Sequence, residues 1–269
     1  LDSSHPVFAL RIFAHGYHGN HDPSGGFFYS KNRGADLSGP FALTGLMNHP
    51  EMKGKLLSPR TDYLVQGPNH CFIFVSAHDD DERLKIIACI ETTDGGKTFH
   101  FVTWVTPQSD EASAIMSQTV QLSENDFVLD YRKIYRSDET RDEIQLYQSR
   151  DRCQTWQPIS TVKVMQVHSN PPALLKLTDG RLCCVYGDRH AGEIRGRYSD
   201  DQGTTWGPEF IIRDDFQAMA NDPDSKSGIN ADIGYPRLVQ RTDGKLVAIY
   251  YWATAENPQQ HIAASIWQP

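Results

Sequence analysis

Short apolar runs alternate with polar turns along nearly the whole chain. The segment "PALLKLTDGRLCCVYG" holds two apolar runs joined by Thr-Asp-Gly, which is typical of a tight β-hairpin. A polar loop and the strand-like "EIRGRY" follow it, and the same layout recurs around "DYLVQGPNHCFIFVSA", "QTVQLSENDFVLDYR" and "YPRLVQRTDGKLVAIYYW". No segment has the apolar period of a helix of three turns. The pattern predicts an all-β chain of antiparallel strands.

One polar turn recurs between these strand pairs. The stretches "TTDGGKTF" at 92–99, "SRDRCQTW" at 149–156 and "SDDQGTTW" at 199–206 share the pattern Ser/Thr-x-Asp-x-Gly-x-Thr-aromatic, except for Cys153 in the glycine position. A degenerate copy, "SKNRGADL", lies at 30–37. Aspartate and hydroxyl side chains can bond to the turn's own backbone, and glycine allows a positive φ. We therefore expect these aspartates to be structural, and we expect the turn with Cys153 to be distorted.

Several strands per repeat, in units of about 50 residues, favour a β-propeller. A β-sandwich does not explain why one turn recurs once in each unit. Five units are recognisable, and the first, around "VFALRIFAHG" and "GGFFYS", lacks its beginning. We expect residues 1–269 to form a single β-propeller domain of four-stranded antiparallel blades.

Composition narrows the classes of partner. The net charge of −8 gives no basic surface for nucleic acid, and no apolar run is long enough to cross a membrane. The five cysteines have neither disulfide-framework nor zinc spacing, so no cofactor or metal is predicted. The compartment stays open, with secreted or periplasmic slightly favoured.

The repeated turns resemble the Asp-box, or BNR, repeat of the sialidase superfamily. This resemblance implies a propeller of six blades. Because the chain starts without methionine and its first unit is incomplete, we expect a member shortened at its N-terminus, and the alternative is a propeller with a different number of blades. The superfamily includes hydrolases, lyases and binding proteins, so the fold alone does not imply an activity.

The resemblance also implies candidate site residues. Sialidases resemble one another in an arginine trio that binds the substrate carboxylate, a tyrosine nucleophile paired with a glutamate, and an aspartate acid/base. "YPRLVQRTDGKLVAIYY" resembles the segment that carries the tyrosine, which implies Tyr235. "FVLDYRKIYR" implies Arg132, with Arg136 as an alternative, and "VYGDRHAGEIRGRYS" implies Arg189. The nearby Arg195 and Arg197 are expected to be solvated surface residues or to form local ion pairs.

Two expected groups have no clear counterpart. The position matching the glutamate lies near Ser117, in a segment without an acid. For the first arginine, Arg11 is a faint match and Arg60 in "SPRTDYL" is a stand-in.

The loop "AHGYHGNHD" is the second candidate region. Asp22 could be the acid/base aspartate, or His15 or His18 could act as a base near neutral pH. A polar surface loop is the simpler interpretation, and the histidine spacing is weak as a metal motif. His168 and Asp232 are candidates for further substrate contacts.

We expect a retaining, sialidase-like exo-glycoside hydrolase whose partner is an acidic oligosaccharide or polysaccharide. Two alternatives remain open. One is a polysaccharide lyase acting on uronic-acid glycans, with His15 or His18 and Tyr235 as base and acid. The other is a carbohydrate-binding propeller without catalysis.

Overall fold

The computed structural model describes residues 2–15, 25–79, 84–137, 141–166, 170–217 and 232–269, without the side chains of residues 59–61. These residues divide into two compact units. The first comprises Leu1–Thr119, Glu124–Phe127 and Ser149–Gln157, and the second comprises Val120–Ser123, Val128–Gln148 and Pro158–Pro269. Within the described residues no helix is long and apolar enough to span a membrane.

The architecture is all-β, as predicted, and its sheets are the blades of a β-propeller. The described residues form five sheets, in which each strand pairs with the next strand along the chain. The first two sheets contain β1 (Ala9–Phe13), β2 (Gly26–Ser30) and β3 (Ser38–Phe41), then β4 (Leu56–Val65), β5 (Cys71–His78), β6 (Ile86–Thr92) and β7 (His100–Trp104). A single turn of 3₁₀-helix, Leu46–Asn48, separates them.

The remaining three sheets follow in the same order. They contain β8 (Ala112–Gln121), β9 (Phe127–Tyr135), β10 (Arg141–Ser149) and β11 (Gln157–Gln166), then β12 (Ala173–Lys176), β13 (Leu182–Asp188), β14 (Glu193–Ser199) and β15 (Phe210–Arg213), then β16 (Gly234–Gln240), β17 (Leu246–Trp252) and β18 (His261–Trp267). Three sheets therefore have four described strands, and the first and last have three.

Burial along the strands explains the patterns of apolar and polar residues in the sequence. All eight residues of β5, including its central Phe72 and Phe74, are buried, because both faces of that strand are covered. β18 instead alternates between half-buried and exposed positions, and Ile262 and Ile266 face solvent. In the second unit, the apolar residues of β13, β16 and β17 share one core around the fully buried Trp252.

The predicted hairpin at Thr-Asp-Gly is present between β12 and β13. Gly180 has φ +94° and donates its amide to Leu177 at 3.0 Å, and Leu177 in turn donates to the carbonyl of Arg181 at 2.8 Å. A Cβ at Gly180 would meet no atom within 4 Å, so only backbone conformation requires glycine there.

The aspartates of the repeated turns accept hydrogen bonds from other residues of the same turn. In the turn at 199–206, Thr205 donates its amide to Asp201 Oδ1 at 2.8 Å and its hydroxyl to Asp201 Oδ2 at 2.6 Å. Gly203 donates its amide to Ser199 Oγ at 2.8 Å. Trp206 packs on the core of the second unit and donates Nε1 to Ser160 Oγ at 3.1 Å. Both oxygens of the Asp201 carboxylate are therefore engaged within the turn, which gives Asp201 a structural role.

The turn with Cys153 keeps the same hydrogen bonds, and the expectation of a distorted turn was wrong. Cys153 donates its amide to Ser149 Oγ at 2.9 Å, and Thr155 donates its amide to Asp151 at 2.9 Å. Cys153 adopts φ +67°, the left-handed region that glycine occupies in the other copies. Its buried thiol interacts with the thiol of Cys89 on β6.

The size of the facing side chain on the neighbouring strand explains why this turn accepts a cysteine in place of glycine. Cys89 lies three residues before its own turn, and the matching residue of β10 is Leu146. A Cβ at Gly203 would lie 2.2 Å from Leu146 Cδ2, so glycine is required where that neighbour is large. The smaller Cys89 leaves space for a cysteine.

Candidate active site

Tyr235 lies in an irregularity at the start of β16. Gly234 pairs with Tyr251 and Arg237 pairs with Ile249, so Tyr235 and Pro236 together oppose Tyr250. This is a β-bulge, a feature that redirects side chains. Gly234 has φ +115° and Tyr235 has φ +50°, which is rare for a residue with a Cβ. The strand therefore presents Tyr235 in a backbone conformation that regular pairing would not give.

Arg132 is fixed by a carboxylate on the neighbouring strand. It lies on β9, and its Nε and Nη2 donate to Asp142 Oδ2 on β10 at 3.1 and 2.9 Å. Both side chains are buried, with 10% and 3% exposure. Burial lowers the pKa of the Arg132 guanidinium from its usual value, although Asp142 opposes this shift. The described bonds use two of the five N–H donors of this side chain.

Arg189, Asp232 and Tyr251 form a second group. Arg189 Nη2 donates to Asp232 Oδ1 at 2.8 Å and to the Tyr251 hydroxyl at 3.0 Å. The Tyr251 hydroxyl donates to the same Oδ1 at 2.7 Å. Gln260 Nε2 donates to Asp232 Oδ2 at 2.7 Å, so both carboxylate oxygens are engaged. Burial raises the pKa of the Tyr251 hydroxyl, which is protonated near neutral pH.

The two groups and Tyr235 are neighbours within the second unit. Arg132 lies within the range of electrostatic interaction with both Tyr235 and Arg189. The rings of Tyr235 and Tyr251 are 5.7 Å apart between centroids and inclined by 31°. Three residues singled out from separate parts of the sequence, Arg132, Arg189 and Tyr235, thus come together, and Asp232 joins them through Arg189.

The other arginines near Arg189 in sequence are engaged in ion pairs. Arg195 pairs with Glu193, and its guanidinium lies 3.6 Å from Glu209. Arg197 lies 3.7 Å from Glu209. This agrees with the expectation of local ion pairs. Arg136 is exposed at the end of β9.

Several predicted residues fall outside the described part of the chain. His18, Asp22 and His168 lie outside the described residues, as does the side chain of Arg60 on β4. His15 is exposed in the first unit, and its ring lies 5.6 Å from that of Phe13. Their roles remain predictions.

Ser117, at the position expected for the glutamate, is buried on β8. Arg11 is exposed on β1. In the described ranges no three His, Cys, Asp or Glu residues are grouped to hold a metal ion.

Sequence reasoning did not assign a site role to Asp142 or Tyr251. Tyr251 lies in the apolar run "AIYYW", which predicts packing, and Asp142 lies in the polar segment "SDETRDE". The signal that could have found them is register. Gly234 pairs with Tyr251, and Asp142 lies on the strand next to that of Arg132.

Residues 15–248 match the family described as BNR repeat-like domain. The chain belongs to this family. No curated protein matches the sequence. The BNR repeat-like match covers all the predicted site residues and all four copies of the turn.

Solved structures share the fold of this BNR repeat-like chain. A protein of unknown function from Dyadobacter fermentans DSM 18053 has a TM-score of 0.64 at 21% identity, covering 90% of this chain and 63% of its own. The GH93 α-L-arabinofuranosidase of Fusarium graminearum, in complex with arabinobiose, has a TM-score of 0.60 at 16% identity, covering 78% and 62%. A Hadza microbial sialidase has a TM-score of 0.61 at 15% identity, covering 97% and 49%.

These identities establish a common fold and leave activity to be argued from the site. The chain spans less than two thirds of the length of each of these three structures.

Proposed function

We propose that this BNR repeat-like chain is a glycoside hydrolase acting on a glycan that carries a carboxylate. The observation that carries the proposal is the grouping of Arg132 and Arg189 with Tyr235 in the second unit, where Arg189 bonds to Tyr251 at 3.0 Å and the Tyr251 ring lies 5.7 Å from that of Tyr235. Two guanidinium groups beside a tyrosine match a ligand that has a carboxylate next to the reacting carbon. The structural neighbours, which include sialidases and an arabinofuranosidase, support a glycan substrate.

Tyr235 is proposed as the nucleophile. A neutral phenol approaching an anomeric carbon beside a carboxylate meets less repulsion than a carboxylate nucleophile would, and tyrosine is a known exception to the use of two carboxylates. Its left-handed backbone supports this role, since strained conformations cluster at active sites.

Arg132 is the proposed primary carboxylate ligand. Asp142 binds the edge of the guanidinium formed by Nε and Nη2, which holds the group in one orientation without using all its donors. Arg189 is already shared between Asp232 and Tyr251, so we expect it to supply positive charge and at most one further hydrogen bond. Arg60 remains the proposed third arginine.

Tyr251 is a second tyrosine, and it has a carboxylate partner of the kind expected for the nucleophile. The Tyr251 hydroxyl donates to Asp232 at 2.7 Å and accepts from Arg189 at 3.0 Å. A carboxylate that accepts the phenolic proton is the local environment in which a tyrosine oxygen can become nucleophilic. Tyr251 is therefore the alternative to Tyr235. Asp22 is the proposed acid/base.

The test measures turnover of a fluorogenic sialoside, a uronate polymer and a fluorogenic α-L-arabinofuranoside by the wild type. The same assays follow for Tyr235→Phe and Tyr251→Phe. The matched control is Tyr29→Phe, because Tyr29 stacks on Phe41 in the first unit and has no role in the proposed site. We expect sialoside turnover, loss of at least about 100-fold in kcat for Tyr235→Phe, and no change for Tyr29→Phe.

Each contrary result has a distinct meaning. Loss in Tyr251→Phe alone would transfer the nucleophile to Tyr251. An unsaturated product absorbing in the near ultraviolet would replace the hydrolase with a lyase, in which His15 or His18 is the candidate base. Turnover of the arabinofuranoside alone would remove the requirement for a carboxylate. Binding of acidic glycans without turnover would leave a carbohydrate-binding propeller.

A further inference from the structure

Asn170 is a fully buried polar residue that no step of the proposed reaction uses. It lies immediately before the two prolines that lead into β12, and its side chain is 0% exposed. Its Nδ2 donates to the carbonyl oxygen of Ile233 at 2.5 Å, across 63 residues of sequence. Ile233 is two residues before Tyr235. The amide thus holds the backbone at the point where the chain enters the bulge.

Two glycines lie against this side chain. A Cβ at Gly234 would be 2.4 Å from Asn170 Nδ2, and a Cβ at Gly187 would be 2.6 Å from the same atom. Real Cβ atoms do not approach other atoms this closely, so the amide occupies space that exists only because both positions are glycine. Gly187 is two residues before Arg189, and Gly234 is one residue before Tyr235. The amide therefore lies between the chain segments that carry two of the proposed site residues.

The backbone next to Asn170 needs such support. Gly234 and Tyr235 are consecutive residues with φ +115° and +50°, and Pro236 follows them. A left-handed residue with a Cβ is strained and persists only where its surroundings determine it. The residue before a proline is restricted in addition. Without the bond to Ile233, this segment has less reason to remain bulged.

We propose that Asn170 is a positioning residue that maintains the bulge and thereby sets the direction of the Tyr235 ring. Its donor N–H fixes the carbonyl of Ile233, and its volume keeps β13 and β16 at their present separation. Loss of either property allows Tyr235 to relax towards regular strand geometry, in which its side chain points elsewhere. The kinetic consequence rests on the proposed function, whereas the direction of the ring does not.

The first measurement is therefore independent of turnover. The protein is labelled with 3-fluorotyrosine, and the ¹⁹F resonance of Tyr235 is assigned by its disappearance in Tyr235→Phe. The variants are Asn170→Asp, which keeps the volume and replaces the amide donor with a carboxyl group, and Gly187→Ala, which displaces the amide without changing it. Val162→Ala is the control, because it removes buried apolar volume from the second unit without touching Asn170.

We expect the Tyr235 resonance to shift or broaden in Asn170→Asp and in Gly187→Ala, while the resonances of tyrosines outside the site stay in place. Val162→Ala should lower Tm without moving the Tyr235 resonance. An unchanged Tyr235 resonance in both folded site variants would overturn the proposal and leave Asn170 as a core residue only. If Asn170→Asp does not fold, Gly187→Ala and Asn170→Ser carry the same test.

The second measurement links position to catalysis. On the substrate that the wild type turns over, both site variants should lose about 100-fold in kcat with KM within about threefold, because a small displacement of a reacting group mainly affects the transition state. Val162→Ala should retain wild-type kcat below its Tm. Absence of turnover by the wild type would contradict the proposed hydrolase, and the ¹⁹F measurement would still decide the role of Asn170.

Discussion

Two regions of the second unit hold a residue with a Cβ in the left-handed conformation, and they do so by opposite means. In the turn at 199–206, Gln202 has φ +60°, and the turn is closed by bonds between Ser199, Asp201 and Thr205. In the bulge of β16, Tyr235 has φ +50°, and Asn170, 63 residues before Ile233, donates to the Ile233 carbonyl where the bulge begins. The turn is supported by its own residues, and the bulge by a residue from a different sheet region.

The difference has a practical consequence for reading sequences. A turn that satisfies itself must carry its own donors and acceptors at fixed spacing, so it leaves a recognisable pattern. A bulge that a distant residue supports needs only a glycine and that residue's amide, and neither forms a recognisable sequence pattern. Substitutions in the turn should therefore affect mainly the turn itself, whereas substitutions in the bulge should also involve distant residues.

The largest effect is expected at the ion pair of the candidate site. Asp142→Ala leaves the guanidinium of Arg132 buried without its carboxylate, and breaking such a pair costs about 3–5 kcal/mol. Urea unfolding followed by circular dichroism measures the change. Asp179→Ala is the control, since its pair with Arg181 is exposed and should cost under about 1 kcal/mol. Equal costs at the two sites would contradict the special status of Arg132 and Asp142.

Gly234→Ala should have the next largest effect. Alanine at φ +115° is strained, and its Cβ would also meet the Asn170 amide at 2.4 Å. Gly180→Ala separates these two causes, because φ there is +94° and no atom lies within 4 Å. We expect about 1–2 kcal/mol for Gly180→Ala from backbone strain alone, and at least about 1 kcal/mol more for Gly234→Ala. Chemical denaturation of both variants gives the values, and a smaller loss for Gly234→Ala would show that Asn170 yields easily.

Asp201→Asn should have a moderate and pH-dependent effect. The hydroxyl of Thr205, followed by its amide, lowers the pKa of Asp201 below its usual value. The stabilisation is therefore fully present above the unfolded pKa of about 3.9 and is lost as pH falls through the lower folded value. At pH 7 the substitution should cost about 0.5–1.5 kcal/mol, reduced by solvent screening of this exposed group.

The comparison of Asp201→Asn with the wild type is made by thermal unfolding between about pH 2 and pH 7. The difference in Tm should shrink as the pH is lowered, because the wild type then loses the bonds that the variant lacks. A difference that stays constant over this range would mean that the carboxylate charge contributes nothing to the turn.

Cys153→Gly should have the smallest effect. Glycine relieves the left-handed strain at φ +67° but removes a buried side chain, and the two contributions oppose each other. We expect a change within about 1 kcal/mol. Combining it with Cys89→Leu reproduces the pair formed by Gly203 and Leu146, and a double-mutant cycle should show favourable coupling. Additive effects of the two substitutions would contradict this dependence on the size of residue 89.

The fold class and the repeated turns can be predicted from the amino-acid sequence alone. Alternating apolar runs, the Thr-Asp-Gly hairpin and the recurring Asp-containing turn each depend on neighbouring residues, so their physical causes lie within a few positions of one another. The family resemblance also singled out Arg132, Arg189 and Tyr235 as candidates. The prediction at Cys153 was wrong because the decisive neighbour, Cys89, lies on a different strand.

The assembly of the candidate site depends on contacts between residues that are distant in sequence. The pairing of Arg132 with Asp142, the sharing of Asp232 between Arg189 and Tyr251, and the support of the Tyr235 bulge by Asn170 all join residues that are separate in sequence. Such contacts depend on strand register and on the space left by Gly187 and Gly234, which no local pattern encodes. Local hydrogen bonds depend on residues that are close in sequence, whereas the position of a reactive side chain depends on packing between residues that are distant in sequence.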